Sequence, residues 1–148
     1  MKPDPGMRPR PRRLYLDTSA YLCMLLGQDG SERLSKETGG AQLLSSVLLV
    51  LESRRNLVRL AREDLIDAEQ YKKCIDRLEQ DIRLFILRDL TLDLCQSNTL
   101  PAVATPRSLD LAHLRTALWF HSAEKIDRFV TMDASQEEAA KDLGLPVA

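Results

Sequence analysis

The sequence predicts an α/β fold in which a parallel sheet is covered by helices on both faces. Short apolar, β-prone runs alternate with helical patterns along the whole chain, which is typical of that class. The first run, RLYL, ends abruptly at Asp17, and a helical pattern starts directly after it. With 148 residues, the chain is long enough for one domain with a buried core. Because the strands are expected to be parallel, the connections between them are expected to be right-handed crossovers.

Each predicted element follows from its own local pattern. Apolar runs predict strands at residues 13–16, 42–47, 85–87, 127–131 and 145–147. Apolar residues three and four apart predict helices at 18–27, 31–37, from about 47 onward, 64–83, 91–95, 109–121, and a last helix that Gly144 ends. Ser108 is expected to cap the helix from Leu109, and Ser135 to open the last helix through a capping box with Glu138. A proline-containing loop is expected at 99–107.

The amino-terminal segment differs from the rest of the chain. Residues 1–12 hold four prolines and show no apolar periodicity, so we expect a flexible Pro/Arg-rich tail followed by a domain over residues 13–148. No apolar run reaches the roughly 18 residues of a membrane span, and the first residues lack the apolar core of a signal peptide. The sequence therefore predicts a cytoplasmic protein without a membrane segment, whose three cysteines stay reduced.

Four acidic residues stand where strands end or helices begin. Asp17 and Asp133 follow predicted strands, whereas Glu52 and Asp110 lie early in predicted helices. Each also has an ordinary local explanation, as a helix cap, a first-turn acid or a solvated helix residue. Ligand sites of parallel sheets form outside the carboxyl ends of the strands, where all four carboxylates could converge.

Carboxylates gathered at one edge of a sheet would repel one another and resist ionising together. A hard divalent cation, Mg²⁺ or Mn²⁺, would relieve that repulsion, activate water and neutralise charge on a phosphodiester. The hydroxyls of Thr18, Ser19 and Thr131 are suited to orient the acids or phosphate oxygens. Arginines such as Arg54 and Arg55 are suited to bind phosphate, but they could equally form a solvated helix face. The net charge of −1 gives the whole chain no field that would attract a polyanion.

Four blocks of the sequence are together similar to a known family: LDTSAYL, SSVLLVLESRRNLVRL, TPRSLDLAHLRTAL and FVTMDASQEEAAKDLGLPV. In this order and spacing they resemble the PIN domain, and more narrowly the VapC-type toxins of bacterial toxin–antitoxin pairs. The resemblance runs from about Leu14 to the last residue. It implies a three-layer α/β/α sandwich around a parallel sheet, and an endoribonuclease that depends on Mg²⁺ or Mn²⁺.

The resemblance also implies roles for individual residues. The positions that match the family's four acids are Asp17, Glu52, Asp110 and Asp133. Asp17 and Asp110 are the expected metal contacts, while Thr18 and Thr131 are expected to support them. Apart from the resemblance, Arg54, Arg55 or Arg115 could contact the RNA backbone, which only the closeness of Arg54 to Glu52 in the chain suggests. The resemblance further implies a homodimer, held inactive by a small antitoxin protein whose carboxyl-terminal segment occupies the groove. The Pro/Arg-rich tail departs from the family's pattern.

Two other functions stay open at this point. A PIN-like scaffold could act only as a binding protein, although none of the four acids is missing. An aspartate-nucleophile phosphatase would use Asp17, but the haloacid-dehalogenase pattern wants a second acid where Ser19 stands. His113, three residues past Asp110, could reach the site, yet we expect a partly buried helix histidine.

Overall fold

A parallel sheet forms the centre of the protein. The computed structural model describes residue 6, residues 9–96 and residues 107–148. Within these ranges the strands are β1 (Arg13–Leu16), β2 (Gln42–Ser46), β3 (Phe85–Arg88) and β4 (Arg128–Val130). All neighbours pair in parallel, in the order β3-β2-β1-β4. The first strand is therefore central, and its carboxyl end lies between those of β2 and β4.

The helices occupy the connections between the strands and the carboxyl-terminal segment. They are α1 (Thr18–Leu26), α2 (Ser31–Thr38), α3 (Leu48–Arg62), α4 (Ala68–Ile82), α5 (Leu92–Gln96), α6 (Ser108–Ala123) and α7 (Ala134–Asp142). Among the described residues, no helix is both long and apolar enough to cross a bilayer.

The two faces of the sheet bury different helices, because successive side chains of a strand point in opposite directions. Tyr15, Leu44 and Phe129 pack with residues of α6 and α7 on one face. Leu14, Leu16 and Val130 pack with residues of α1 and α2 on the other. A further cluster joins α1 to α3 and α4 on that second side. The predicted three-layer α/β/α arrangement with a central parallel sheet is confirmed.

The predicted start of one helix and one predicted strand are wrong. The fourth helix begins at Ala68 instead of residue 64, since Asp64 adopts a positive φ of 57° and Asp67 forms a capping box with Gln70. Residues 145–147 do not form a fifth strand. They run beside β4, where Phe129 N donates to Pro146 O at 2.7 Å, but proline has no N–H with which to continue a ladder.

The predicted tail and loop are only partly covered by the structure. Residues 1–5, 7, 8 and 97–106, and with them nearly all of the predicted loop at 99–107, lie outside the described residues. In the described part of the tail, Arg10 forms an ion pair with Glu124 at 2.7 Å. The carbonyl oxygen of Arg12 accepts a hydrogen bond from Gln42 N at 2.7 Å, next to the start of β1.

Candidate active site

Asp17 lies directly after the central strand, and its side chain is almost fully buried. Its Oδ1 accepts hydrogen bonds from Ser19 Oγ at 2.7 Å and from Ala20 N at 3.0 Å. Its Oδ2 accepts one from Thr131 Oγ1 at 2.5 Å. Asp17 is also the N-cap of α1, which is the local role that the sequence allowed for it. Burial raises the pKa of Asp17 above its ordinary value, although the Thr131 and Ser19 hydroxyls oppose the shift.

Asp133 is tied to the same place through Thr131. Its backbone N donates to Thr131 Oγ1 at 3.1 Å, so one hydroxyl contacts both acids. Its Oδ1 accepts from Ser135 N at 2.8 Å and Gln136 N at 3.3 Å, which makes Asp133 the N-cap of α7. The expected cap at Ser135 is wrong, because the helix begins one residue before Ser135.

Asp110 lies in the first turn of α6, whose N-cap position is occupied by Arg107 and not by Ser108 as expected. The helix is held towards α7 by Gln136 Nε2, which donates to Asp110 O at 2.8 Å. Burial raises the pKa of Asp110, as do the charges of Asp133 and Asp17, against an opposing effect of Arg107. The Asp110 carboxylate is therefore close enough to Asp133 and Asp17 for their charges to disfavour its ionisation.

Glu52 approaches from α3 and is joined to Asp17 through the neighbouring Thr18. Thr18 Oγ1 donates to Glu52 Oε1 at 2.7 Å, and His113 Nε2 lies 3.0 Å from the same oxygen. Burial by itself would raise the pKa of Glu52, but the hydrogen bonds from His113 and Thr18, aided by the charge of Arg55, lower it below its ordinary value. Glu52 is thus an ionised carboxylate at neutral pH.

The structure brings together side chains that the sequence-based reasoning did not combine. His113 is fully buried and contacts Thr18, Glu52 and Tyr15, instead of being a partly buried helix residue. Its spacing of three residues from Asp110 was the available signal, because residues at that spacing share a helix face. Nothing in the sequence indicated that Tyr15 contacts the site, since an aromatic residue in an apolar strand is equally expected in the hydrophobic core.

The three candidate arginines differ in what they contact. Arg54 forms an exposed ion pair with Glu79 at 3.3 Å. Arg115 donates to the carbonyl oxygen of Leu94 at 3.3 Å, which ties α6 to α5. Arg55 is exposed and close enough to Glu52 for its charge to lower the pKa of that carboxyl. Of these three arginines, Arg55 is therefore the one whose charge acts on one of the four acids, Glu52.

The acidic residues fit a hard cation in part. Across residues 9–96 and 107–148, no group of three or more His, Cys, Asp or Glu side chains is arranged to hold an ion. Mg²⁺, however, keeps several waters and is usually bound through one or two carboxylates plus substrate phosphates. In the described part of the chain, Gln136 Oε1 is buried without a hydrogen-bond partner, on the amide that contacts Asp110 O. Asp17 and Asp110 are therefore the two carboxylates that could hold a largely hydrated Mg²⁺ or Mn²⁺.

The oxygen-rich donor set also argues for the type of ion. The Asp17 carboxylate is bonded to the hydroxyls of Ser19 and Thr131, and oxygen ligands suit Mg²⁺, Mn²⁺ and Ca²⁺ better than the softer metals. The likeness to the PIN domain rests on the four sequence blocks alone. When the chain is compared with protein-family models and with curated proteins, it matches none of them.

Proposed function

We propose that the protein is a metal-dependent endoribonuclease of the PIN type that hydrolyses RNA phosphodiester bonds. The observation that supports this best is a continuous path of hydrogen bonds among three acids. It runs from the Asp17 carboxylate through the Thr131 hydroxyl to the backbone N of Asp133, and from Asp133 Oδ1 through the backbone N and side-chain amide of Gln136 to the backbone O of Asp110. Residues more than 110 positions apart, such as Asp17 and Thr131, are held in one site by this path.

Asp17 and Asp110 would hold a divalent ion, Mg²⁺ or Mn²⁺. Bound there, the ion would activate water and neutralise charge on the phosphodiester. Glu52 stays ionised through its contacts with Thr18 and His113 and can accept a proton from the attacking water. Arg55, exposed on α3 beside Glu52, can contact the RNA backbone; Arg54 would first have to leave Glu79.

We further propose the biological setting that the sequence blocks imply. The protein would be the toxin of a type II toxin–antitoxin pair, acting on cytoplasmic RNA as a homodimer. A small antitoxin protein would hold it inactive by occupying the acidic groove. Co-purification with the product of an adjacent short reading frame, and loss of RNA cleavage in that complex, would support this setting.

The decisive experiment is RNA cleavage by the purified chain with Mg²⁺ or Mn²⁺, with and without a chelator. We expect cleavage that stops on chelation and that Asp17→Asn lowers by at least about 100-fold, because mutation of metal-site groups commonly has effects of this size. The products should carry 5′-phosphate and 3′-hydroxyl ends, since water attacks phosphorus and the 3′ oxygen departs with a proton.

The matched control is Glu69→Gln, which removes an acid whose exposed ion pair with Lys73 lies on α4. It should leave cleavage unchanged. Cleavage that Asp17→Asn retains would refute the proposed site. Inactivity of the wild-type chain together with no response of its melting temperature to either ion would favour the non-catalytic binding protein. Hydrolysis of a phosphate monoester but not of RNA would favour the aspartate-nucleophile phosphatase.

A further inference from the structure

His113 is a buried polar side chain whose two ring nitrogens both have partners. It is only 2% exposed, and it lies on α6 between the strand residue Tyr15 and the acid Glu52. Nδ1 is 2.8 Å from the Tyr15 hydroxyl, and Nε2 is 3.0 Å from both Thr18 Oγ1 and Glu52 Oε1. Which tautomer a buried imidazole with this set of contacts adopts follows from the protons that its partners can supply.

The contacts of Nε2 require that this nitrogen carries a proton. Thr18 Oγ1, His113 Nε2 and Glu52 Oε1 lie 2.7–3.0 Å from one another. The threonine hydroxyl has one proton, which it donates to the carboxylate. Without a second proton on Nε2, two lone pairs would face each other at 3.0 Å between Nε2 and Oε1. An Nε2–H removes that repulsion and gives Glu52 Oε1 a second donor.

The contact of Nδ1 completes the assignment. Tyr15 is fully buried, its hydroxyl lies 2.8 Å from Nδ1, and a tyrosine hydroxyl carries a proton at neutral pH. The hydroxyl can therefore donate to Nδ1, while Nε2 carries the ring proton that Glu52 Oε1 needs. Tyr15 lies on central strand β1 and stacks on Phe129 of β4, with ring centroids 5.4 Å apart. The imidazole is thus anchored to the rigid sheet.

We propose that His113 is a positioning residue that fixes the Glu52 carboxylate through Oε1, with Tyr15 holding the imidazole in the Nε2–H form. Within the described residues, no hydrogen bond engages Glu52 Oε2, so that oxygen stays available to the reacting water. The inference deepens the proposed nuclease function and rests on it for the role of Glu52. The tether from Tyr15 to Glu52 can nevertheless be measured without any substrate.

The first test compares two amide variants that differ in where they place a donor. In His113→Gln the amide nitrogen is as many bonds from Cα as Nε2, so it can still donate to Glu52. In His113→Asn the amide nitrogen is as far along as Nδ1, so the donor to Glu52 is lost. We expect His113→Asn to lower kcat about 10- to 100-fold with KM for RNA changed less than about twofold, and His113→Gln to stay within about threefold of wild type.

A purely structural histidine would give another pattern. The two variants would then lose kcat together, in proportion to their free energies of unfolding, and that result would overturn the proposal. If His113→Asn does not fold, Tyr15→Phe replaces it, and a loss of kcat with unchanged KM is again the expected result. The control is His121→Gln, which changes the other histidine of α6, whose Nδ1 accepts from Ile126 N at 3.0 Å.

The second test reads the tautomer directly by ¹⁵N NMR of the histidine rings at neutral pH. We expect the wild-type His113 ring to carry its proton on Nε2, and Tyr15→Phe to release that preference. A ring protonated only on Nδ1 would overturn the tether, whatever the protein cleaves. Absence of RNA cleavage by the wild-type chain would instead contradict the proposed function. The two failures are therefore distinguishable.

Discussion

At the scale of single residues, Asp17 combines burial with a charge that its surroundings only partly support. A carboxylate loses several kcal/mol of hydration on burial, and each hydrogen bond to it restores roughly 1.5–3 kcal/mol. Asp17 accepts three such bonds, yet burial still dominates and its pKa is raised. A buried carboxylate whose pKa is raised is typical of functional sites.

Asp110→Asn should stabilise the protein at neutral pH. Burial and the charge of Asp133 raise the pKa of Asp110, so the folded state binds this proton more tightly than the unfolded chain does. The stability that it contributes is present below the ordinary pKa and is lost as pH rises through the folded value. We expect the amide to increase the free energy of unfolding at pH 7 by about 0.5 kcal/mol, a small gain because solvent screens this partly exposed group.

Urea denaturation from about pH 3 to about pH 7 checks this expectation, since the ordinary aspartate pKa of about 3.9 lies inside that range. The wild-type and Asp110→Asn proteins should have similar stability at the acid end and separate towards neutral pH. Glu69→Gln should track the wild type throughout. An Asp110→Asn protein that is less stable than the wild type at neutral pH would show that the carboxylates do not repel one another in the fold.

At the scale of elements, three helices begin at aspartates: Asp17 for α1, Asp67 for α4 and Asp133 for α7. Two of these caps also lie in the candidate site, so a single side chain both starts a helix and faces the other acids. The third, Asp67, has only the local role, in which its side chain accepts from Gln70 N at 2.7 Å. Substitutions of Asp67 therefore measure the energetics of helix capping without changing the candidate site.

Asp67→Ala should lower the free energy of unfolding by about 1 kcal/mol, because it leaves the first N–H groups of α4 without their acceptor. Asp67→Asn keeps an oxygen at the same position, so it should lose no more than a few tenths of that amount. Chemical denaturation of both variants measures the difference, and RNA cleavage should be unaffected in either. If both variants were as stable as the wild type, the Asp67 side chain would contribute nothing to the capping of α4 in solution.

At the scale of the whole molecule, the hydrophobic core between α6 and the sheet holds the site residues of α6 in place. Leu114 is fully buried there, one residue after His113, among Tyr15, Leu44 and Phe120. Leu114→Ala should lower the free energy of unfolding by about 2–5 kcal/mol through the lost burial and the cavity left behind. Leu84→Ala, at a side chain that is 71% exposed, should change it by less than about 0.5 kcal/mol.

Thermal and urea denaturation of this pair of variants distinguishes a packed core from a loosely filled one. The same substitution is made at both positions, so the difference reports burial alone. If Leu114→Ala were no more destabilising than Leu84→Ala, α6 would not be packed on the sheet. Asp110 and His113 would then not be held where the site needs them.

Most of the fold was predictable from the sequence because its signals are local. The alternation of apolar runs and helical periodicity was enough for a parallel sheet between helices, and each of the four strands in the described residues matches its prediction within one residue at each end. The errors lie where two local solutions have similar energies. Asp133 and Ser135 are both good N-caps, and Pro146 reads as extended chain whether or not a ladder continues there.

The sequence by itself determined the class of fold, the position of Asp17 at a strand end, and the presence of acids near the other element ends. Periodicity and capping depend on neighbours in the chain, so they can be read without coordinates. Only the tertiary structure decided that Thr131 contacts both Asp17 and Asp133, that Gln136 holds Asp110, and that His113 joins Tyr15 to Glu52. Those contacts join residues from different strands and helices, and they depend on sheet register and on how each helix packs, which no local pattern encodes.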